Sequence, residues 1–232
     1  MPEEDIPLLE GMATTRAIRR FRPDPIPEAD LDAMFWHASR APSGSNRQPF
    51  RFLVLRDGVR AREARKLLGE AFRSEWSTKR AADGYDAGSG SDANSRKARM
   101  ANAMQQFVDR FEDIPVVVLA CHEPYRPLTP FDGANVYPAC QNLLLAARAL
   151  GYGGVMTMWH VLVEAQLRTV LDIPENVFIA ATLALGRPEG SHGPVRRRPL
   201  DQIVYEDSWE HSAPWAVDPQ GTRFAGGPRR GR

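Results

Sequence analysis

Apolar and polar positions along the chain change period several times, and each change marks an element. Ile6 to Met12 carries the spacing of a short amphipathic helix. Leu31, Met34, Phe35 and Ala38 recur at helical intervals behind Pro27, which suits a helix N1 position, and that helix must end before Pro42. Phe50 to Leu55 is rich in β-formers and predicts a strand. Ala64, Leu67, Leu68, Ala71 and Phe72 put one apolar face on a charged helix. Met100, Met104, Phe107, Val108 and Phe111 do the same over Ser95 to Phe111. Pro115 to Ala120 is continuously apolar, as in a strand covered on both faces. Val136 to Leu150, with Asp132 or Asn135 as its cap, is apolar nearly all round, which places it at the protein's centre or between protomers. Pro138 falls in its first turn and Gly151 stops it. Gly153 to His160 predicts a third strand, Leu162 to Leu171 a helix, and Val177 to Leu185 a fourth strand ended by Gly186. Strands alternating with helices imply an α+β or α/β sandwich, with helices on both faces of one sheet.

Ser77 to Arg99 breaks this pattern. It is polar and glycine-rich, and is expected to be a flexible insertion or flap within a single domain spanning residues 1–210. Gly88-Ser89-Gly90-Ser91-Asp92-Ala93 matches the loose dinucleotide fingerprint, but no apolar strand precedes it, so the match is rejected. From Tyr205 the tail carries Trp209 and Trp215 but little periodicity, and residues 211–232 are expected to form a C-terminal extension whose Gly/Pro/Arg end is disordered.

Three stretches carry candidate chemistry. Ala41-Pro42-Ser43-Gly44-Ser45-Asn46-Arg47-Gln48-Pro49-Phe50 delivers the chain from a helix into a strand. Its amides, hydroxyls and permissive backbone could cradle a planar polar ligand. Arg16 and Arg19 stand three apart, so one helical turn would aim both guanidiniums at one point, an arrangement suited to a phosphate. Gly193 to Pro199 is a basic knot containing Arg196, Arg197 and Arg198.

Composition narrows the classes. A net charge of +1 over 232 residues gives no global case for nucleic acid or membrane binding. The acidic start lacks the regions of a signal peptide and no apolar run reaches transmembrane length, so a soluble cytoplasmic protein is expected. His37, His122, His160, His192 and His211 show no metal-binding spacing, and Cys121 and Cys140 no C-x-x-C. No metal site is expected. His160 reads as a satisfied structural histidine that could also donate near a ligand, and Cys140 as a small apolar residue of a buried helix.

Taken together, Thr15-Arg16-Ala17-Ile18-Arg19-Arg20-Phe21, the Ala41–Phe50 loop and Arg196-Arg197-Arg198-Pro199 resemble the FMN-dependent nitroreductase family in order and spacing. The similarity spans roughly residues 9 to 210, and the middle motif is the most specific. The resemblance implies a three-layer α/β/α sandwich with a central mixed sheet, a homodimer, and FMN at the subunit interface. By analogy Arg16, Ala17 and Arg19 hold the phosphate and ribityl side together with Arg196 and Arg197. Pro42, Ser43, Asn46 and Gln48 contact the flavin, some of them across the dimer. The backbone of Met156, Thr157 and Met158 lies against the ring. The flavin carries the chemistry, so no side chain is assigned a catalytic role. NADPH or NADH would reduce it, and a nitroaromatic, quinone or similar small aromatic would reoxidise it at the same site in a ping-pong reaction. Relatives on this scaffold also dehalogenate aromatics, oxidise heterocycles or cleave flavin, and a flavin-binding sensor or carrier is the alternative outside enzymes. Three positions depart from the family pattern. Thr15 and Val195 stand where many members carry a cation, and Ala17 where a serine is frequent, which implies redistributed phosphate contacts.

Overall fold

The computed structural model describes residues 6–225. Four strands form one sheet in the order β1 (Phe50–Leu55), β2 (Val116–His122), β4 (Phe178–Gly186), β3 (Gly153–Thr157). Alternate residues of each strand face opposite sides, and the two faces nucleate two cores. Val117, Leu119 and Cys121 face one way, against α3 (Val59–Ala82), α4 (Arg96–Asp109) and α6 (Glu164–Leu171), with Phe72, Trp76, Phe107 and Phe111 at the centre of that layer. Val116, Val118 and Ala120 face the other way, against α2 (Glu28–Ala38) and α5 (Tyr137–Ala149), which supply Leu31, Met34, Cys140 and Leu143. Every residue of β2 is buried, which is why its sequence shows no alternation. The expected three-layer α/β/α sandwich is present.

The sheet is not mixed. Every paired neighbour is antiparallel. Two helices, α3 and α4, lie between β1 and β2, so the chain re-enters beside the end it left. A single helix, α5, carries β2 over to β3 in the same direction. However, β4 then inserts between those two strands, just as β2 stands between the co-directional β1 and β4, so no two strands of the same direction are neighbours.

Most element boundaries fall within two residues of the pattern, and the exceptions have local causes. Pro27 is the N-cap of α2, one position earlier than expected, with Glu28 and Asp30 completing an acidic first turn. α3 continues to Ala82, so the polar stretch begins at Asp83. It is tied down by Tyr85 against Trp76 (5.1 Å between rings) and by Lys97 Nζ donating to Gly84 O at 2.5 Å. α4 starts behind Ser95, whose hydroxyl accepts from Ala98 N at 2.9 Å. Its buried face is Ala98, Ala101, Met104, Phe107 and Val108, which leaves Met100 exposed. Neither expected cap of α5 caps it. Asp132 and Asn135 sit in a preceding 3-10 turn, Asp132 accepting from Thr129 and Arg126 and Asn135 Oδ1 accepting from Gly44 N at 2.8 Å. β3 stops at Thr157 rather than His160. Trp159–Leu162 forms a 3-10 turn that folds His160 inward, where its Nε2 bonds Ile179 O at 2.9 Å. β4 includes Gly186. α1 spans Leu8–Thr14. The tail from Tyr205 is irregular, and the expected disorder at its end lies outside the described residues.

One core position invites a test. Thr182 on β4 is fully buried, and its hydroxyl has no hydrogen-bond partner among the described residues. An unpaired buried hydroxyl is a cost that an isosteric methyl removes. Thr182→Val is expected to raise unfolding free energy by about 1 kcal/mol in urea titration. A loss of stability would show that the hydroxyl is bonded.

Candidate functional site

The candidate residues gather at two places on the sheet. The first lies along β3, whose outer edge has no strand partner. There the chain after α1 crosses the strand without helical hydrogen bonds, Ile18 N donating to Gly154 O at 2.9 Å. It then runs beside the exit of β4, Arg22 N donating to Arg187 O at 2.8 Å. The approach to the basic knot lies against the same segment, with Gly193 N donating to Thr14 O at 3.4 Å and Val195 N to Ala13 O at 3.3 Å. Residues far apart in sequence, 13–19 and 195–197, are thereby made neighbours.

This crossing overturns the expectation that Arg16 and Arg19 share a helical turn. Ile18 must enter the core against Gly153, where an added Cβ would sit 2.5 Å from the Ile18 side chain, so the backbone cannot coil there. Arg16 and Ala17 stay exposed. Arg19 is half-buried and lines a small cleft with Phe21, Gln106 and Phe107. Burial, and after it the charge of Arg16, holds the Arg19 guanidinium below its ordinary pKa. Among the described residues no carboxylate lies within ion-pair distance of Arg16, Arg19, Arg196 or Arg197. Four unmatched guanidiniums, one of them partly desolvated, fit an anionic group with several acceptor oxygens.

At the other end of β3, Met156 and Met158 are each 37% exposed. Met158, at φ −114° and ψ 9°, leaves strand geometry, so the backbone beyond Thr157 is released from sheet pairing. That end offers apolar surface and free backbone donors to a flat ligand.

The second place is the loop entering β1, on the opposite edge of the sheet. Gly44–Asn46 is a 3-10 turn, and Ser45, Asn46 and Gln48 all have positive φ, near +50°. Left-handed backbone at non-glycine residues costs about 1–3 kcal/mol each and tends to persist where function over-determines it. Ser43 Oγ accepts from Gln48 N at 2.8 Å, and Gln48 Nε2 donates to Asn46 Oδ1 at 3.0 Å, so the loop's own polar groups hold its shape. Asn135 anchors it from the turn before α5. Arg47 stacks on Tyr125, 4.1 Å from the ring centroid.

Three inter-strand spacings, about 14 Å, separate the edge carrying Pro42, Ser43, Asn46 and Gln48 from the edge carrying the arginines and Met156–Met158. The structure thus assembles the first and third motifs with β3, and leaves the middle motif apart within one chain. Asn135 was missed because it reads as a helix cap. His160 is 1% exposed and burial holds its pKa below the ordinary value, which fits its structural reading. The Cys140 thiol, buried in α5, is pushed up to about 12 and that of Cys121 to about 11, so neither is a nucleophile.

Comparison with known proteins places these features. The nitroreductase family model matches residues 12–187. A Thermus thermophilus protein named NADH dehydrogenase is 29% identical over 211 residues, covering 87% of this chain and 98% of the relative. An Archaeoglobus fulgidus protein, named for NADH dehydrogenase and NAD(P)H nitroreductase, is 28% identical over 185 residues, covering 78% and 85%. The crystal structure of an FMN and NADPH-dependent nitroreductase from Sphigopyxis sp. strain HMH superposes with a TM-score of 0.65 at 22% identity, covering 88% of this chain and 100% of the other. With a family match over most of its length and the motif segments set around one sheet, the chain belongs to the nitroreductase family.

Proposed function

We propose that this protein is an FMN-dependent oxidoreductase that draws electrons from NADPH or NADH and passes them to a small aromatic acceptor, at a site built by two copies of the chain. The observation that carries this reading is the division of the motif residues between opposite edges of the sheet, both groups facing outward. One chain holds the phosphate side and the ring floor, and a partner's loop covers the ring. The names of the two curated relatives support the donor, and that of the Sphigopyxis protein supports the cofactor.

Each residue contributes by binding or orienting. Arg16, Arg196 and Arg197 hold the phosphate with forked donors. Ala17, without a polar side chain, leaves its backbone open to the ribityl chain. Arg19, half-buried further along, supplies positive charge beside the ring's polar edge. Met156 and Met158 form the apolar floor, and the backbone beyond Thr157, released from sheet pairing, offers N–H donors to the ring. Pro42, Ser43, Asn46 and Gln48 of the second copy close the site with neutral groups, which suits an uncharged aromatic acceptor. When bound, FMN supplies the redox chemistry. Leu8, Leu9 and Met12 on α1 are exposed at 70%, 79% and 56%, an apolar surface that association would cover. Among the described residues no helix is long and apolar enough to cross a membrane.

Subunit mixing tests the division. An Arg16→Ala/Arg197→Ala chain and an Asn46→Ala/Gln48→Ala chain should each retain little FMN. Co-expressed in equal amounts, they should recover about one intact site in four, because half the dimers are mixed and each mixed dimer has one unaltered site. No recovery would place both motifs in a single chain's site.

Catalysis is tested anaerobically. NADPH or NADH should bleach the flavin absorbance of the purified protein, and a nitroaromatic or quinone should restore it. Because donor and acceptor use one open site in turn, initial rates should give parallel double-reciprocal lines. Absence of bleaching with either nicotinamide would instead indicate a flavin carrier.

A further inference from the structure

We propose that Arg148, in the last turn of α5, is a further phosphate-holding residue, meeting Arg16 across His192 at the Gly153 end of β3. The inference rests on the FMN reading above and adds a residue that none of the three motifs contains.

Backbone hydrogen bonds bring the participants to one place. Gly151 N donates to Arg148 O at 3.2 Å and Tyr152 N to Ala147 O at 2.8 Å, which turns the end of α5 directly into β3. His192 Nε2 bonds Tyr152 O at 3.0 Å, while Gly193 N and Val195 N bond the carbonyls of Thr14 and Ala13. The end of α5, the start of β3, the residues before Arg16 and the entry to the basic knot therefore share one corner of the molecule. Burial, and after it the charges of Arg148 and Arg16, hold His192 below its ordinary pKa, so both guanidiniums lie in the surroundings of one imidazole.

The corner is positively charged and under-satisfied. Arg148 Nε is enclosed without a hydrogen-bond partner, and so is His192 Nδ1. Among the described residues, no carboxylate lies within ion-pair distance of Arg148. The carbonyls ending α5 offer Arg148 partial negative charge, but they do not pair its enclosed Nε. An enclosed cationic donor with nothing to bond is costly, and a phosphate oxygen would satisfy it. The location also answers the two departures from the family pattern. The Thr15 hydroxyl is spent on Gly11 O at 2.6 Å, and Val195 contributes only its backbone, so neither supplies the cation frequent at its position. Arg148 brings a cation to the same corner from α5.

Apo-protein titrations with FMN and with riboflavin, followed by flavin fluorescence, test this. Arg148→Met keeps the apolar stem and removes the guanidinium. It should raise the FMN Kd about 10- to 100-fold, the worth of one hydrogen bond to a charged group, and leave the riboflavin Kd within about twofold. Arg148→Lys keeps charge without the fork and should fall between, with FMN affinity that drops with added salt. If Arg148→Met fails to fold by circular dichroism, the lysine variant decides by the same FMN-to-riboflavin ratio. Equal losses for both ligands, or an unchanged preference for FMN, would overturn the proposal while leaving the functional reading in place. A wild-type protein that takes up neither flavin would defeat the functional reading, and this inference with it.

Discussion

The bond from Ile18 N to Gly154 O, laid over two consecutive residues without side chains, is the contact through which sheet and site are joined. β3 is an edge strand, and an unpaired edge is normally a hazard that a fold must cover. Here the chain after α1 covers it. Gly153 permits this, since a Cβ there would stand 2.5 Å from Ile18 and 3.1 Å from His192 Nε2. Ile18 joins the same core cluster as Val155 and Phe72, so the position of Arg16 and Arg19 is fixed by packing rather than by propensity. The antiparallel bridge from Phe21 to Pro188 extends the same line of contacts past β4.

Electrostatics adds a second constraint. Several guanidiniums on this molecule are matched: Arg73 to Glu112 at 2.8 Å, Arg80 to Asp86 at 2.7 Å, Arg168 to Glu164 at 2.6 Å. Arg65, buried in α3, donates through its two terminal nitrogens to the carbonyls of Arg56, Glu112 and Ile114, although its Nε has no partner among the described residues. The arginines around β3 have no carboxylate partner among the described residues, and two of them, Arg19 and Arg148, are partly buried. Unmatched, partly desolvated cations oppose folding, and a bound anion would relieve the cost. A net charge of +1 conceals this entirely, because it averages over the surface.

The sheet explains why the middle motif stands apart. β4 completes the order β1-β2-β4-β3, and with it the loop before β1 and the end of β3 lie on opposite edges. Helices α2 and α5 cover the face between them, and α5 is buried on one side through Ala139, Cys140, Leu143 and Ala147. The exposed apolar side of α1, which packs beside α5, points to the same region.

Periodicity alone determined that the chain has two helical layers on one sheet, because burial of alternate strand residues and helical stripes is written directly in residue order. It located Leu119, Phe72 and Leu143 as core, and the loop of Ser43, Asn46 and Gln48 by its turn chemistry. Resemblance added the family. Residue order did not determine the pairing of strands, since β4 inserts between β2 and β3 only after both are made, nor the end of β3, where burial of His160 outweighs strand propensity. It gave Arg16 and Arg19 a helical spacing that the packing of Ile18 forbids. It showed Arg148 only as a cation ending an apolar helix. That the end of α5, the segment carrying Arg16 and the entry to the basic knot share one corner depends on bonds such as Ile18 N to Gly154 O and Gly193 N to Thr14 O, between segments more than a hundred residues apart, which only the tertiary structure decides.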